Sequence, residues 1–64
     1  MIIDGRKLDI KAAERCITYK HLARAASVTE KTIQAAREGE SVRTDTVGKI
    51  AAALGVPVSE ILRD

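Results

Sequence analysis

Few residues in this chain have the chemistry to act on a bond. There is one cysteine, Cys16, and one histidine, His21. Two potential ligands are too few to close a zinc site, and a single Cys forms no intrachain disulfide. A lone Cys at a helix end is expected to be a small buried residue. His21 is expected as a solvated side chain or a phosphate neighbour. No motif sets a base beside Ser27, Ser41 or Ser59. Neither a paired general acid and base nor a glycine-rich phosphate loop is present. The chain therefore reads as non-enzymatic, with no cofactor, no metal and no small-molecule substrate. What remains is recognition chemistry, concentrated in residues 19–39, YKHLARAASVTEKTIQAAREG. Lys20, Arg24, Glu30, Lys31, Thr32 and Gln34 offer donors and acceptors that either meet a polar partner or form a solvated face. Arg37 is balanced between that surface and a structural ion pair.

The chain that must position these groups has 64 residues, enough for one domain. A domain of this size buries about 60% of its unfolded surface and is marginal alone, so tight helix packing or a second copy is expected to help. The formal charge is +2, and its distribution is uneven. Residues 19–39 hold 4 basic and 2 acidic groups, whereas residues 40–64 hold 3 basic and 4 acidic. The positive bias therefore lies where the recognition groups lie, which is compatible with phosphate attraction. One Tyr and no Phe or Trp argue against a single-strand binder, which needs aromatic stacking platforms. No apolar run approaches the roughly 20 residues that span a membrane. The opening MIIDGRKL turns charged after three residues, unlike a signal peptide. A cytoplasmic protein is expected.

The pattern predicts five short helices and no sheet of consequence. Met1 to Ile3 is too short for an independent strand. Asp4 is a candidate N-cap for a first helix from Gly5 or Arg6 to Arg15, with Leu8 and Ala12 inward and Ile17 packing beyond its end. Thr18 caps a second helix, Tyr19 to Ala26, whose buried stripe is Leu22, Ala23 and Ala26. Ser27 and Val28 turn the chain. Thr29 caps a third helix, Glu30 to about Glu38, with Glu30 at its positive end, Ile33 and Ala36 inward, and Gly39 as a left-handed terminator. After a loop, Thr44 is expected to cap a fourth helix, Asp45 to Leu54, on which Val47, Ile50, Ala51 and Leu54 repeat at helical spacing. Pro57 opens a short fifth helix to Leu62.

The run TYKHLARAASVTEKTIQAAREG resembles the helix-turn-helix of the Cro- and lambda-repressor-like regulators. Ala23, Val28 and Ile33 stand at that family's spacing. VGKIAAALGVPVSEIL is similar to the family's fourth and fifth helices, so the resemblance spans about residues 8 to 62. The chain departs from it at several points. Ser27 and Cys16 replace glycines, Ser27 at a turn whose backbone tends to be left-handed. Tyr19 replaces a common Gln, Ala12 a frequent Arg, and Lys11 a frequent apolar residue.

The resemblance implies an all-α, lambda-repressor-like domain that binds double-stranded DNA and regulates transcription, with repression favoured over activation because 64 residues leave no room for an effector domain. It places helices 2 and 3 as the helix-turn-helix and helix 3 in the major groove. It makes Glu30, Lys31 and Ala35 the base-reading positions, with Thr32 and Gln34 at their edge and Thr29 beside them. Lys31 suits guanine O6 and N7, Glu30 suits cytosine N4, and the Ala35 methyl suits a thymine methyl. Phosphate contacts fall to the Tyr19 hydroxyl, Lys20, the N-terminus of helix 2 and Arg43. The Tyr19 ring has the alternative of covering the core. The family implies a homodimer on twofold-related half-sites, with apolar Val56, Val58, Ile61 and Leu62 either closing the core or meeting a second copy. A competing reading is a protein-interaction or antitoxin-like subunit on the same fold, motivated by Glu30, Glu38 and Glu40 near the DNA face.

Overall fold

The computed structural model describes residues 1–63. It contains α1 (Gly5–Glu14), α2 (Tyr19–Ala25), α3 (Glu30–Arg37) and α4 (Thr44–Leu54), followed by a single 3₁₀ turn, Val58–Glu60. Three helix starts are fixed locally, as the sequence predicts. The Asp4 carboxylate accepts from the amides of Arg6 and Lys7, the Thr18 hydroxyl from His21, and the Thr29 hydroxyl from Thr32. Each satisfies amides that a first turn otherwise leaves without a partner.

Two elements differ from expectation. Thr44 does not cap α4 but forms its first residue, and extended Arg43 occupies the cap position with no side-chain bond to the helix. The reason is one residue further on: Asp45 turns its carboxylate to the amide of Thr46 and toward Arg43. The expected fifth α-helix is only the 3₁₀ turn. The chain straightens directly after the turn, and residues 61–63 pair with the N-terminal arm instead of extending a helix.

That arm is the main addition to the sequence reading. Residues 1–4 lie between two short segments, antiparallel to both, through isolated bridges from Ile2 to Ser41 and from Ile3 to Leu62. Met1 and Val42 exchange two hydrogen bonds of 2.8 Å, Asp4 donates to Ile61 at 2.8 Å, and Arg63 donates to Ile2 at 3.0 Å. The arm drives Ile3 into the core, where it is 1% exposed. Burial of a side chain this size contributes about 1.5–3 kcal/mol.

The core joins Ile3 to Leu8 and Ala12 of α1, Leu22 and Ala23 of α2, Ile33 and Ala36 of α3, the four α4 residues named above, Ala26 and Ile61. Ile17, Val28, Val56, Val58 and Leu62 pack half-buried against it. Two basic side chains, Lys7 of α1 and Arg15 at its C-cap, stitch distant carbonyls: Arg15 Nε donates to Leu54 O at 2.8 Å, and Lys7 Nζ to Leu62 O at 3.2 Å. No helix among the described residues is long and apolar enough to cross a membrane.

The turn between α2 and α3 passes through Ser27 at φ +59°, the left-handed backbone that its position implied, and Cys16 after α1 sits at φ +55°. Cys16 is exposed, not buried as expected.

Candidate nucleic-acid interface

α3 has an inner face and an outer face. Ile33 and Ala36 are buried in the core, and Thr32 and Ala35 are half-buried at the margin. Glu30, Lys31, Gln34, Arg37 and Glu38 are exposed. The close packing of α2 and α3 depends on small Ala23 and Ala26, both buried, with half-buried Val28 filling the turn. Small residues let the two backbones approach without a gap.

The helix start is preorganised. Thr29 Oγ1 accepts from the amide of Thr32 at 3.1 Å, and the two threonine hydroxyls lie 3.0 Å apart. A hydroxyl accepts twice and donates once, so each retains capacity for an outside partner. Glu30 follows at the positive end of the helix, which favours its charge. Lys31 makes no ion pair among the described residues and projects into solvent.

Beside this helix, α2 presents Lys20, His21 and Arg24, which line a shallow depression with Thr18. All are exposed, and none pairs with a carboxylate among the described residues. α2 carries no acidic residue of its own, so the lining of the depression holds two cations, Lys20 and Arg24, and no carboxylate. The sequence identified Lys20 here but left Arg24 as solvent-exposed. Arg43 lies in the loop after α3, its side chain 85% exposed, 3.4 Å from Asp45. An exposed pair of this kind contributes little and leaves Arg43 available to a stronger anion.

Tyr19 requires a correction. Its hydroxyl is shut off from solvent and has no hydrogen-bond partner among the described residues, so it is not placed to meet a phosphate. The ring instead lies half-buried against the core beneath Arg37, whose guanidinium carbon is 4.3 Å from the ring centroid. Of the two readings the sequence left for Arg37, the structure shows the ion pair, with partners the sequence did not indicate. Its Nε is 3.2 Å from Asp9 on α1, and its Nη1 is 3.5 Å from Gln34 Oε1. Gln34 Nε2 lies 3.3 Å from Glu38. Arg37 thereby links α1, α2 and α3. Its partner Asp9 stands 28 residues away, beyond any local spacing signal.

The result is a short helix with an outward row of polar side chains, seated on a second helix whose exposed face is basic. No match is found among curated proteins. The sequence pattern of the Cro/C1-type HTH DNA-binding domain matches residues 7–64. With its four helices and helix-turn-helix at α2 and α3, the chain belongs to the Cro/C1-type helix-turn-helix family of DNA-binding domains.

Proposed function

We propose that this protein is a sequence-specific regulator of transcription that inserts α3 into the major groove of duplex DNA. The observation that carries this reading is the pairing of two faces. The outer face of α3 bears Glu30, Lys31 and Gln34, and α2 bears Lys20 and Arg24 beside His21, the two cations with no carboxylate partner among the described residues. Groove edges call for hydrogen-bonding side chains on a helix, and phosphates call for unpaired cations. Lys31 donates to guanine, Glu30 accepts from cytosine, and half-buried Ala35 offers a methyl to thymine. Thr29, Thr32 and Gln34 border them. Lys20 and Arg43 neutralise phosphates on either side.

Repression is the simplest outcome, because occupancy of a promoter site is enough to exclude polymerase. The protein acts as a homodimer on a two-fold site, since one module with few phosphate contacts binds weakly at physiological salt. Exposed Met1 and Ile2, with Leu62 and Arg63, form an apolar hollow compatible with that contact. The same hollow is what favours the competing reading of a protein-interaction subunit.

Binding to random duplex DNA across a salt series separates these readings. The regulator binds at low salt and weakens linearly in log salt. No binding at high micromolar protein and low salt would refute it. Selection of bound sequences from a random pool then gives the site and its symmetry. On that site, Lys31→Ala relaxes specificity and weakens binding by about 1–3 kcal/mol. Equal loss on all sequences would make Lys31 a phosphate contact only.

A further inference from the structure

We propose that Arg37 is a positioning residue for base reading: stacked on Tyr19 and paired with Asp9, it fixes the last turn of α3 and orients the Gln34 amide that faces DNA. The inference rests on the DNA-binding reading above and adds a residue that makes no contact with DNA itself.

Four observations converge on it. The guanidinium covers the Tyr19 ring at 4.3 Å, a cation–π distance. Asp9 holds Nε from the opposite helix at 3.2 Å, so Arg37 is braced from both α1 and α2. The backbone is braced as well, because Gly5 passes so close to the Arg37 carbonyl that a side chain at position 5 would collide with it. Finally, Gln34 has its oxygen toward Arg37 at 3.5 Å and its nitrogen toward Glu38 at 3.3 Å. The charges on either side select one of the two amide orientations, since only the oxygen is attracted to Arg37 and only the N–H₂ to Glu38. Each amide atom still keeps one unused site, a lone pair on Oε1 and an N–H on Nε2. An oriented glutamine amide is the partner suited to adenine N6 and N7. The Tyr19 hydroxyl fits the same picture: its burial without a partner is compatible with an aromatic ring retained as a platform for Arg37.

The test uses the sites selected by the wild-type protein from a random duplex pool. Arg37→Met keeps an apolar stem over the ring and removes the charge. It is expected to lose about tenfold in affinity for the selected site, on the scale of one base contact, while binding to random duplex stays within about twofold. In a double-mutant cycle with Gln34→Ala the two losses should not add, because both remove the same contact. Arg37→Lys should restore part of the affinity, having the charge but not the planar stack. Should Arg37→Met fail to fold by circular dichroism, Asp9→Asn removes one brace and is read out in the same way. Additive losses would overturn the positioning role, and so would an equal loss on selected and random DNA. Wild-type protein that binds no duplex would overturn the DNA-binding reading itself.

Discussion

Replacing Ser27 or Cys16 with glycine should stabilise the fold, and the size of the effect follows from how the helices end. All four helices close with the same pair of hydrogen bonds. After α1, Cys16 donates to Ala13 and Ile17 to Ala12; after α2, Ser27 donates to Arg24 and Val28 to Ala23. After α3, Gly39 donates to Ala36 and Glu40 to Ala35; after α4, Gly55 donates to Ala52 and Val56 to Ala51. This is the Schellman arrangement, which requires a left-handed residue at the turning point. The φ values there are 55°, 59°, 82° and 69°, so two of the four ends impose left-handed backbone on a residue with a side chain. That conformation costs about 1–2 kcal/mol for an L-residue, and the extra freedom of glycine in the unfolded chain offsets about 0.5–1 kcal/mol of the gain. Each glycine should therefore stabilise by about 0.5–1 kcal/mol. Unfolding entropy for 64 residues is about 0.13 kcal/mol/K, so each should raise Tm by about 4–7 °C. The double variant should show the sum, because the two ends share no hydrogen-bond partner. Gly39→Ala is the reverse control: an added Cβ meets nothing within 4 Å, so only backbone strain acts, and about 1 kcal/mol should be lost. The assay is thermal unfolding by far-UV circular dichroism under reducing conditions. An unchanged or lowered Tm in both glycine variants would refute the reasoning.

Three other outcomes are expected. Tyr19→Phe should leave DNA affinity unchanged and stability equal or up to about 1 kcal/mol higher, because it removes a buried hydroxyl without a partner; a loss of affinity in titrations would return a phosphate contact to Tyr19. Lys20→Ala should weaken binding equally on selected and random duplexes and lower the salt slope by about one, whereas a sequence-dependent loss would make Lys20 a reader of bases. Lys11 titrates above its ordinary 10.5, pulled up first by Glu14 and then by Glu60, at 3.4 and 3.5 Å. A lysine raised on folding stabilises fully below its unfolded value and loses that contribution as pH rises through the folded one. The Tm gap between wild type and Lys11→Met should therefore hold to about pH 10.5 and close above it, and a gap constant into strong alkali would show that the pairs contribute nothing.

Much of the fold was legible because its determinants are local or periodic. Asp4, Thr18 and Thr29 cap amides only two or three residues away, and Val47, Ile50, Ala51 and Leu54 share one face at helical spacing. Each such signal fits inside a short window of chain. The α4 start was misread because Thr44 is the better capping residue by type, whereas in the fold extended Arg43 takes the cap position with no side-chain bond and Asp45 turns its carboxylate to Thr46. The last helix was misread because Pro57 and three following apolar residues suit an α-helix as well as a 3₁₀ turn. The pairing of residues 61–63 with the N-terminal arm, through Asp4 to Ile61, Ile3 to Leu62 and Ile2 to Arg63, settled it from the far end of the chain.

The candidate site divides in the same way. Sequence alone determined that α3 would carry Glu30, Lys31 and Gln34 outward, because burying Ile33 and Ala36 leaves them no other side of the helix. It also determined that α2 would be basic, since no acidic residue stands in YKHLARA. Only the tertiary structure decided that Tyr19 would turn its hydroxyl inward, that Arg37 would stack on it and reach Asp9, and that Ile3 would leave a charged N-terminal segment for the core. Those contacts join residues far apart in the chain, and their strength depends on distance and desolvation, which no spacing of letters encodes.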